Sequence, residues 1–327
     1  MKLNKNGMKN LSFKQIEKEI KKAKKILVVT HQGPDGDAIG SISAMSFYLK
    51  KTKKPHYSLC VSGVPELLKF VPGTSQIKSK HPKIPYDLII GLDYGTKTQL
   101  GMESYFKKYP EIPLLVFDHH LPNGQNADLG VIKSNHSSVC EIIYDYFKTI
   151  KFKINKNIAY DLAVGILTDT GFFKYTNNRK PLEVMTDLMR FGIRSDIINN
   201  YLHGQVKMAA MKLSSKILNR AEYVNKGDFV YSRLGRKELN KHHLTVDELG
   251  GVIERLGNLK MGRFALLLIE EGGKRIRGRL RGRPDKNYNV AKLAMKLGGG
   301  GHKFAAGFRC RGTIDEALKL VAKYARK

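Results

Sequence analysis

The chain has 327 residues, 42% of them hydrophobic, with 58 Lys and Arg against 29 Asp and Glu and a formal net charge of +29 at pH 7. At about 100–200 residues per domain this length predicts two domains, and the hydrophobic share of an ordinary globular protein excludes general disorder as the source of the charge. A surface this basic attracts polyanions, so nucleic acids, nucleotides, other phosphorylated compounds and acidic lipid headgroups are the partner classes to weigh, beside a scattered lysine excess with no specific partner.

Along the first half, short apolar runs end in polar residues able to bind metal. Lys25 to Thr30 is a predicted strand that runs into His31, Asp35 and Asp37 on a Pro/Gly turn. A helix-like segment near 38–50 follows, then a strand from Tyr86 to Leu92 that ends at Asp93. After a helix-like stretch near 97–108, the strand Pro113 to Phe117 ends at Asp118, His119 and His120. Continuous apolar runs of this length, separated by helices, are the pattern of strands buried on both faces of a parallel sheet. In such open α/β sheets the functional crevice lies at the carboxyl ends of the strands.

Another helix is expected near 139–149, and the run Ile158 to Leu167 has helical spacing and ends in Thr168, Asp169, Thr170, Gly171 and Phe172. Residues 181–222 read as largely helical. From about Gly227 the pattern changes to short strands over 228–232, 263–269 and 274–283, a helix from Val290 to Leu297, the run Gly298 to Gly301 with His302, and a strand from Ala306 to Cys310. The expected plan is a catalytic domain over 1–190, a helical connector over 191–226 and a smaller mixed α/β domain over 227–327.

Cys60, Cys140 and Cys310 lie far apart without CxxC or Cys/His spacing, which argues against a disulfide framework or zinc finger and suits a reducing cytoplasm. The basic stretch Met1 to Ser12 is not followed by an apolar segment of signal-peptide length. No run of roughly 18 or more apolar residues occurs, so neither secretion nor a membrane span is expected. A homo-oligomer is an open option.

The cluster His31, Asp35 and Asp37 taken alone could be turn chemistry, because Pro-Asp-Gly is a common turn sequence. Asp93, His119 and Asp169 at the ends of other elements of the same predicted sheet change that reading. Carboxylates and imidazoles converging on one sheet edge repel unless cations are present. Two divalent ions would balance the charges of Asp35, Asp37, Asp93 and Asp169 with both histidines neutral. Mixed carboxylate and imidazole ligation without thiolate suits Mn²⁺, and less distinctively Fe²⁺, Co²⁺, Zn²⁺ or Mg²⁺. Paired metals serve in-line attack at phosphorus, so hydrolysis of a phosphate ester is the leading reaction.

These motifs resemble those of the DHH phosphoesterase superfamily: His31-Gln-Gly-Pro-Asp-Gly-Asp-Ala-Ile-Gly-Ser41, Leu92-Asp93, Asp118-His119-His120 and Thr168-Asp-Thr-Gly-Phe172. The second half, through Gly298-Gly-Gly-Gly-His-Lys-Phe-Ala-Ala-Gly307, is similar to the associated DHHA1 domain, and the two-domain plan resembles the nano-RNase/pAp-phosphatase (NrnA-like) group. The resemblance implies a dinuclear, typically Mn²⁺, centre with His31 and Asp35 on one metal, Asp37, His119 and Asp169 on the other, and Asp93 bridging. It further implies that Asp118 orients the site and that His120 contacts the scissile phosphate or helps protonate the leaving group. Asp118 as a buried hydrogen-bonding carboxylate without metal contact is the alternative, and Ser41 reads as helix packing.

Specificity is expected in the second domain. With period-two direction, Arg275, Arg277, Arg279, Arg281 and Arg283 share one strand face, suited to an oligonucleotide backbone or a doubly phosphorylated nucleotide. The alternative is a charged edge that discourages strand aggregation. Related proteins carry a Ser-x-Arg-Ser-like sequence here, and Arg279-Leu280-Arg281-Gly282 keeps Arg281 while replacing both serines. Gly298 suffices as a helix cap, so Gly299, Gly300 and Gly301 are expected to approach substrate with His302 on its phosphate or nucleotide. Short oligoribonucleotides, cleaved to nucleoside 5′-monophosphates, and pAp, losing its 3′-phosphate, are the substrates implied. The competing readings are pApA or cyclic-dinucleotide cleavage, and a nucleic-acid-binding protein with a vestigial site. A manganese pyrophosphatase fits the Gly298–His302 run less well, and a RecJ-type exonuclease is less expected because such chains carry additional nucleic-acid-binding segments for which this length leaves no room.

Overall fold

The computed structural model describes residues 8–120, 125–174, 176, 178–204, 207–225, 228–249 and 251–325. Met1 to Gly7, and Lys226 and Gly227 at the expected domain boundary, lie outside them. The chain divides into two units, Met1–Leu202 and His203–Lys327.

The first unit opens with the short strand β1 (Lys9–Asn10), helix α1 (Phe13–Lys22), β2 (Ile26–Thr30), α2 (Gly36–Lys51), β3 (His56–Leu59), β4 (Ile77–Lys78) and β5 (Leu88–Leu92). It continues through α3 (Glu103–Lys108), β6 (Leu114–Asp118), β7 (Leu129–Ile132), α4 (Val139–Thr149), α5 (Lys156–Asp169), α6 (Lys180–Met189) and α7 (Ser195–His203). The seven strands pair in the order β1-β7-β6-β5-β2-β3-β4, every pair parallel. The three strands legible as apolar runs, β2, β5 and β6, are its buried centre. Ile26 and Val28 face one core with Leu88, Ile90, Leu115 and Phe117, while Leu27 and Val29 face the other with Ile89, Leu114 and Val116. Burial on both faces is why these strands lack polar alternation. The strand order runs outward in opposite senses from β2 and β5, which makes the crevice between their carboxyl ends the switch point of the sheet.

Two helices on one face are packed unusually close. A Cβ on Gly40 of α2 would lie 2.4 Å from the Asp161 carbonyl oxygen of α5, and one on Gly36 would lie 2.4 Å from Thr168 Oγ1. These glycines let the start of α2 and the end of α5 approach, and that approach brings Asp35 and Asp37 near Asp169. Ser41 is buried and donates its hydroxyl to the Ala38 carbonyl, 3.0 Å away, within α2.

The second unit contains α8 (Met208–Asn219), β8 (Glu222–Val224), β9 (Phe229–Leu234), α9 (Arg236–Lys241), α10 (Val252–Gly257), β10 (Phe264–Gly272) and β11 (Arg275–Gly282). It closes with α11 (Val290–Lys296), β12 (Gly300–His302), β13 (Ala305–Arg311) and α12 (Ile314–Ala325). Its six strands pair as β12-β13-β11-β10-β9-β8, with β9 and β10 parallel and the other pairs antiparallel. The architecture is therefore α/β, with a parallel sheet in the first unit and a smaller mixed sheet in the second. Of the helices between 191 and 222, α7 gives Ile198 to the first unit's core and α8 gives Ala210, Leu213 and Ile217 to the second's.

Candidate metal centre

The carboxyl ends of β2, β5 and β6 and the facing ends of α2 and α5 converge on one cluster. Asp35 is the N-cap of α2: one carboxylate oxygen accepts from the backbone N–H of Asp37 and Ala38, both at 3.0 Å. That bond satisfies helix donors that have no intrahelical partner and fixes the aspartate at the strand-to-helix turn. Ligand atoms of His31, Asp35 and Asp93 lie within 4.8 Å of one another, as do those of Asp37, His119 and Asp169. These two triads contain the six residues read from the sequence as metal ligands. Asp93 reaches both, with Oδ2 3.8 Å from His31 Nε2 and Oδ1 3.6 Å from His119 Nε2.

Asp93 sits directly after β5 with φ of +52°, in the left-handed region that few non-glycine residues adopt. Such strain persists only where the surroundings enforce it. Its Oδ1 is buried without a hydrogen-bond partner. Burial alone would raise the Asp93 pKa, but His119, His120 and His31 outweigh it and hold the carboxyl below the usual range. Asp37 is cradled by the start of α4, accepting from Val139 N–H at 2.6 Å and Cys140 N–H at 2.9 Å. Burial, reinforced by Asp93, still pushes its pKa up to about 7. Asp169, at the carboxyl end of α5, is likewise raised, by burial first and then by Asp37, Asp35 and Asp93 against the opposing pull of His119. His119, 3.2 Å from Asp169, is itself pushed well above its ordinary value despite burial. Carboxylates driven toward protonation, an imidazole driven toward its cation and an orphaned buried oxygen all mark a site short of positive charge. Divalent cations would supply it, and the oxygen and imidazole donor set fits them.

Asp118 is fully buried and saturated. Oδ1 accepts from His119 N–H at 2.7 Å, His120 N–H at 3.1 Å and His120 Nδ1 at 2.7 Å, and Oδ2 accepts from Gly95 N–H at 3.0 Å and Gln125 Nε2 at 3.3 Å. These bonds hold the histidine pair and the turn after Asp93, the arrangement of an orienting carboxylate. His120 is thereby raised to about 9, the Asp118 bond overcoming burial.

A second layer was not legible in the sequence. His119 Nδ1 lies 3.3 Å from the His136 carbonyl oxygen, which turns Nε2 toward Asp93 and Asp169. The His136 ring is held in turn by Asp145, at 3.0 Å, and buried Glu141 accepts from Ser137 N–H at 3.0 Å. His136 belongs to the loop between β7 and α4, brought there by the pairing of β7 with β6 beside Asp118 and by the bond of Lys133 N–H to the Asp118 carbonyl, 2.9 Å long.

In the second unit the arginine alternation holds: Ile276 and Leu280 are 2% and 1% exposed under one face of β11, and the arginines occupy the other. The register aligns Arg281 with Ala305 and His302, and Arg279 with Gly307 and Gly300. Arg281 is not a bare cation, since Glu254 Oε1 accepts from its Nη2 at 2.6 Å and Nε at 3.0 Å. The four glycines have different reasons. Gly298 has φ of +76° just beyond α11, Gly299 would put a Cβ 2.0 Å from the Gly307 carbonyl oxygen, and Gly301 has φ of +135° with a Cβ position 2.5 Å from the Ala305 oxygen. A Cβ on Gly300 would meet nothing within 4 Å. Conformation or packing accounts for the other three, and Gly300, in the Arg279 row, has neither constraint.

Comparison with known proteins places the chain in a class. Residues 25–166 match the DHH family, N-terminal domain, and residues 226–327 match the DHHA1 domain. The chain belongs to the DHH/DHHA1 phosphoesterases, a class of metal-dependent hydrolases. It is 28% identical over 304 residues to the bifunctional oligoribonuclease and PAP phosphatase NrnA of Bacillus subtilis, covering 91% of this chain and 92% of that one. To the protein of the same name in Mycoplasma genitalium it is 26% identical over 303 residues, covering 92% and 93%. The crystal structure of an exopolyphosphatase-related protein from Bacteroides fragilis shares the fold, with a TM-score of 0.85 and 24% identity over 96% of this chain and 95% of that one. Among the described residues, no helix is long and apolar enough to cross a membrane.

Proposed function

We propose that this protein hydrolyses short oligoribonucleotides to nucleoside 5′-monophosphates and removes the 3′-phosphate of pAp, using two divalent ions, Mn²⁺ by preference. The observation that carries the reading is the pair of triads joined through Asp93. Nothing in simple nucleic-acid binding requires them, which disfavours a vestigial site. The near full-length likeness to the two NrnA proteins supports the choice of substrates.

His31 and Asp35 would hold one ion and Asp37, His119 and Asp169 the other, with Asp93 shared. When bound, such ions activate water at neutral pH and stabilise negative charge building on phosphorus oxygens. His120 would offer a proton from Nε2 to the leaving oxygen, and Asp118, bonded to its Nδ1, orients the ring. In the second unit Arg279 and Arg281 grip phosphate through their guanidinium groups, while the open backbone at Gly300 and the His302 ring take its terminal end.

The test is a side-by-side kinetic comparison of pAp, pApA, a short RNA ladder and cyclic di-AMP with Mn²⁺. Turnover of pAp and of two- to five-nucleotide RNA is expected to dominate, and Asp93→Ala or His119→Ala to lower it by about 10³, several kcal/mol of transition-state stabilisation. Near-normal turnover in either variant overturns the metal assignment, and preference for cyclic di-AMP overturns the substrate.

A further inference from the structure

We infer that the arginine face of the second sheet continues beyond Arg281 as a phosphate track, on which Arg277, Arg309, Arg275 and Arg311 bind backbone phosphates of a longer single-stranded oligonucleotide. This rests on the substrate class proposed above and adds to it a dependence on length.

The register carries the argument. Beyond the rows Arg281–Ala305–His302 and Arg279–Gly307–Gly300, the next two rows of the same face pair Arg277 with Arg309 and Arg275 with Arg311. Residues directly opposite in an antiparallel ladder have neighbouring side chains, and like charges there are destabilising. Two consecutive Arg–Arg pairs therefore cost the fold stability. Glu254 meets Arg281 at 2.6 Å and Glu271 meets Arg309 at 3.0 Å, so acids offset charge at the first and third rows, and the Arg275–Arg311 row lies beyond both of these ion pairs. Protection of a sheet edge explains Arg309 and Arg311, because β12 pairs with β13 only as far as Gly307. It does not explain Arg275 and Arg277, which lie on an interior strand between β10 and β13.

Geometry suits a linear polyanion. Rows on one face are two residues apart, about 6.8 Å, so the four rows span about 20 Å. Arg275 and Arg311 are exposed, and the Arg309 side chain is 65% exposed. Guanidinium groups in such a row can each take a phosphate bidentately without reading the base. Gly300 and Gly307 leave the Arg279 row without side-chain bulk across β12 and β13, so a backbone held at the Arg281 end can pass along the sheet.

Binding of labelled two- and seven-nucleotide RNAs to the full chain, measured by fluorescence anisotropy with EDTA present and over a salt series, tests the track without relying on turnover. Wild-type protein is expected to bind the longer RNA more tightly. The double variant Arg309→Ala/Arg311→Ala should weaken it by about tenfold and reduce the slope of log affinity against log salt by about 1.4, two phosphates at about 0.7 each. Affinity for the two-nucleotide RNA should change less than about twofold, and Arg309→Lys/Arg311→Lys should retain the slope. Equal loss for both lengths, an unchanged slope, or no length dependence in the wild type overturns the track. Failure of the substrate proposal reads differently: length-dependent binding persists, and Mn²⁺ gives no hydrolysis of the RNA.

Discussion

His120 and Asp118 show how a partly buried charge pair stores a pH dependence. The imidazole pKa is raised to about 9 from an ordinary 6.5, because the Asp118 bond outweighs burial. A folded-state pKa above the unfolded one contributes stability that is complete below pH 6.5 and disappears as pH rises through about 9. EDTA-treated protein should therefore lose thermal stability between these values, and Asp118→Asn should flatten the fall in a melting series. The neighbouring His136 meets His119 through its backbone carbonyl, and its ring is held by Asp145. His136→Ala should lower Mn²⁺ affinity by about 10–100-fold, the usual cost of an outer-layer partner, as read by calorimetric titration. An unchanged affinity would mean that the loop holds its carbonyl in place without the ring.

At the scale of elements, the glycines separate packing from function. Gly300→Ala should leave the melting temperature unchanged, since its Cβ meets open space, and should weaken pAp binding if substrate approaches that backbone. Gly301→Ala should instead destabilise by about 1 kcal/mol or more, because φ of +135° is strained for alanine and its Cβ would press on the Ala305 carbonyl. Thermal melts of both variants beside pAp binding distinguish the roles. Sequence patterning could not assign them, because four adjacent glycines look alike until the strand that packs on them is known. The central strands were legible for the opposite reason: β2, β5 and β6 are buried on both faces, so their burial is written as unbroken apolar runs. The edge strands β1 and β4, of two residues each, carry too little pattern to be read.

For the whole molecule, metal should act as a stabilising ligand of the first unit. Its carboxylates are costly to bury together, and a cation that binds only the folded centre adds about 2.7 kcal/mol at 100 times its dissociation constant. Calorimetric melts should show Mn²⁺ raising the transition of the first unit, EDTA reversing it and Asp93→Asn removing most of the gain. A melt insensitive to Mn²⁺ would argue against the centre.

The sequence by itself determined the candidate donors, His31, Asp35, Asp37, Asp93, His119 and Asp169, and the element ends that carry them, because local hydrophobic patterning and turn chemistry are properties of short stretches. The division of those residues into triads, implied by the family resemblance, has its physical cause in the tertiary structure: parallel strand order and the glycine-mediated approach of α2 and α5, separated by more than a hundred residues of chain. Tertiary structure also decided which hydrogen bonds Asp118 makes to His119 and His120, that the His136 carbonyl backs His119, that Arg281 shares its charge with Glu254, and that Arg275 and Arg277 stand opposite Arg311 and Arg309. Each of these depends on partners distant in sequence, and hydrogen bonds and electrostatic contacts form between neighbours in space, whatever their separation along the chain.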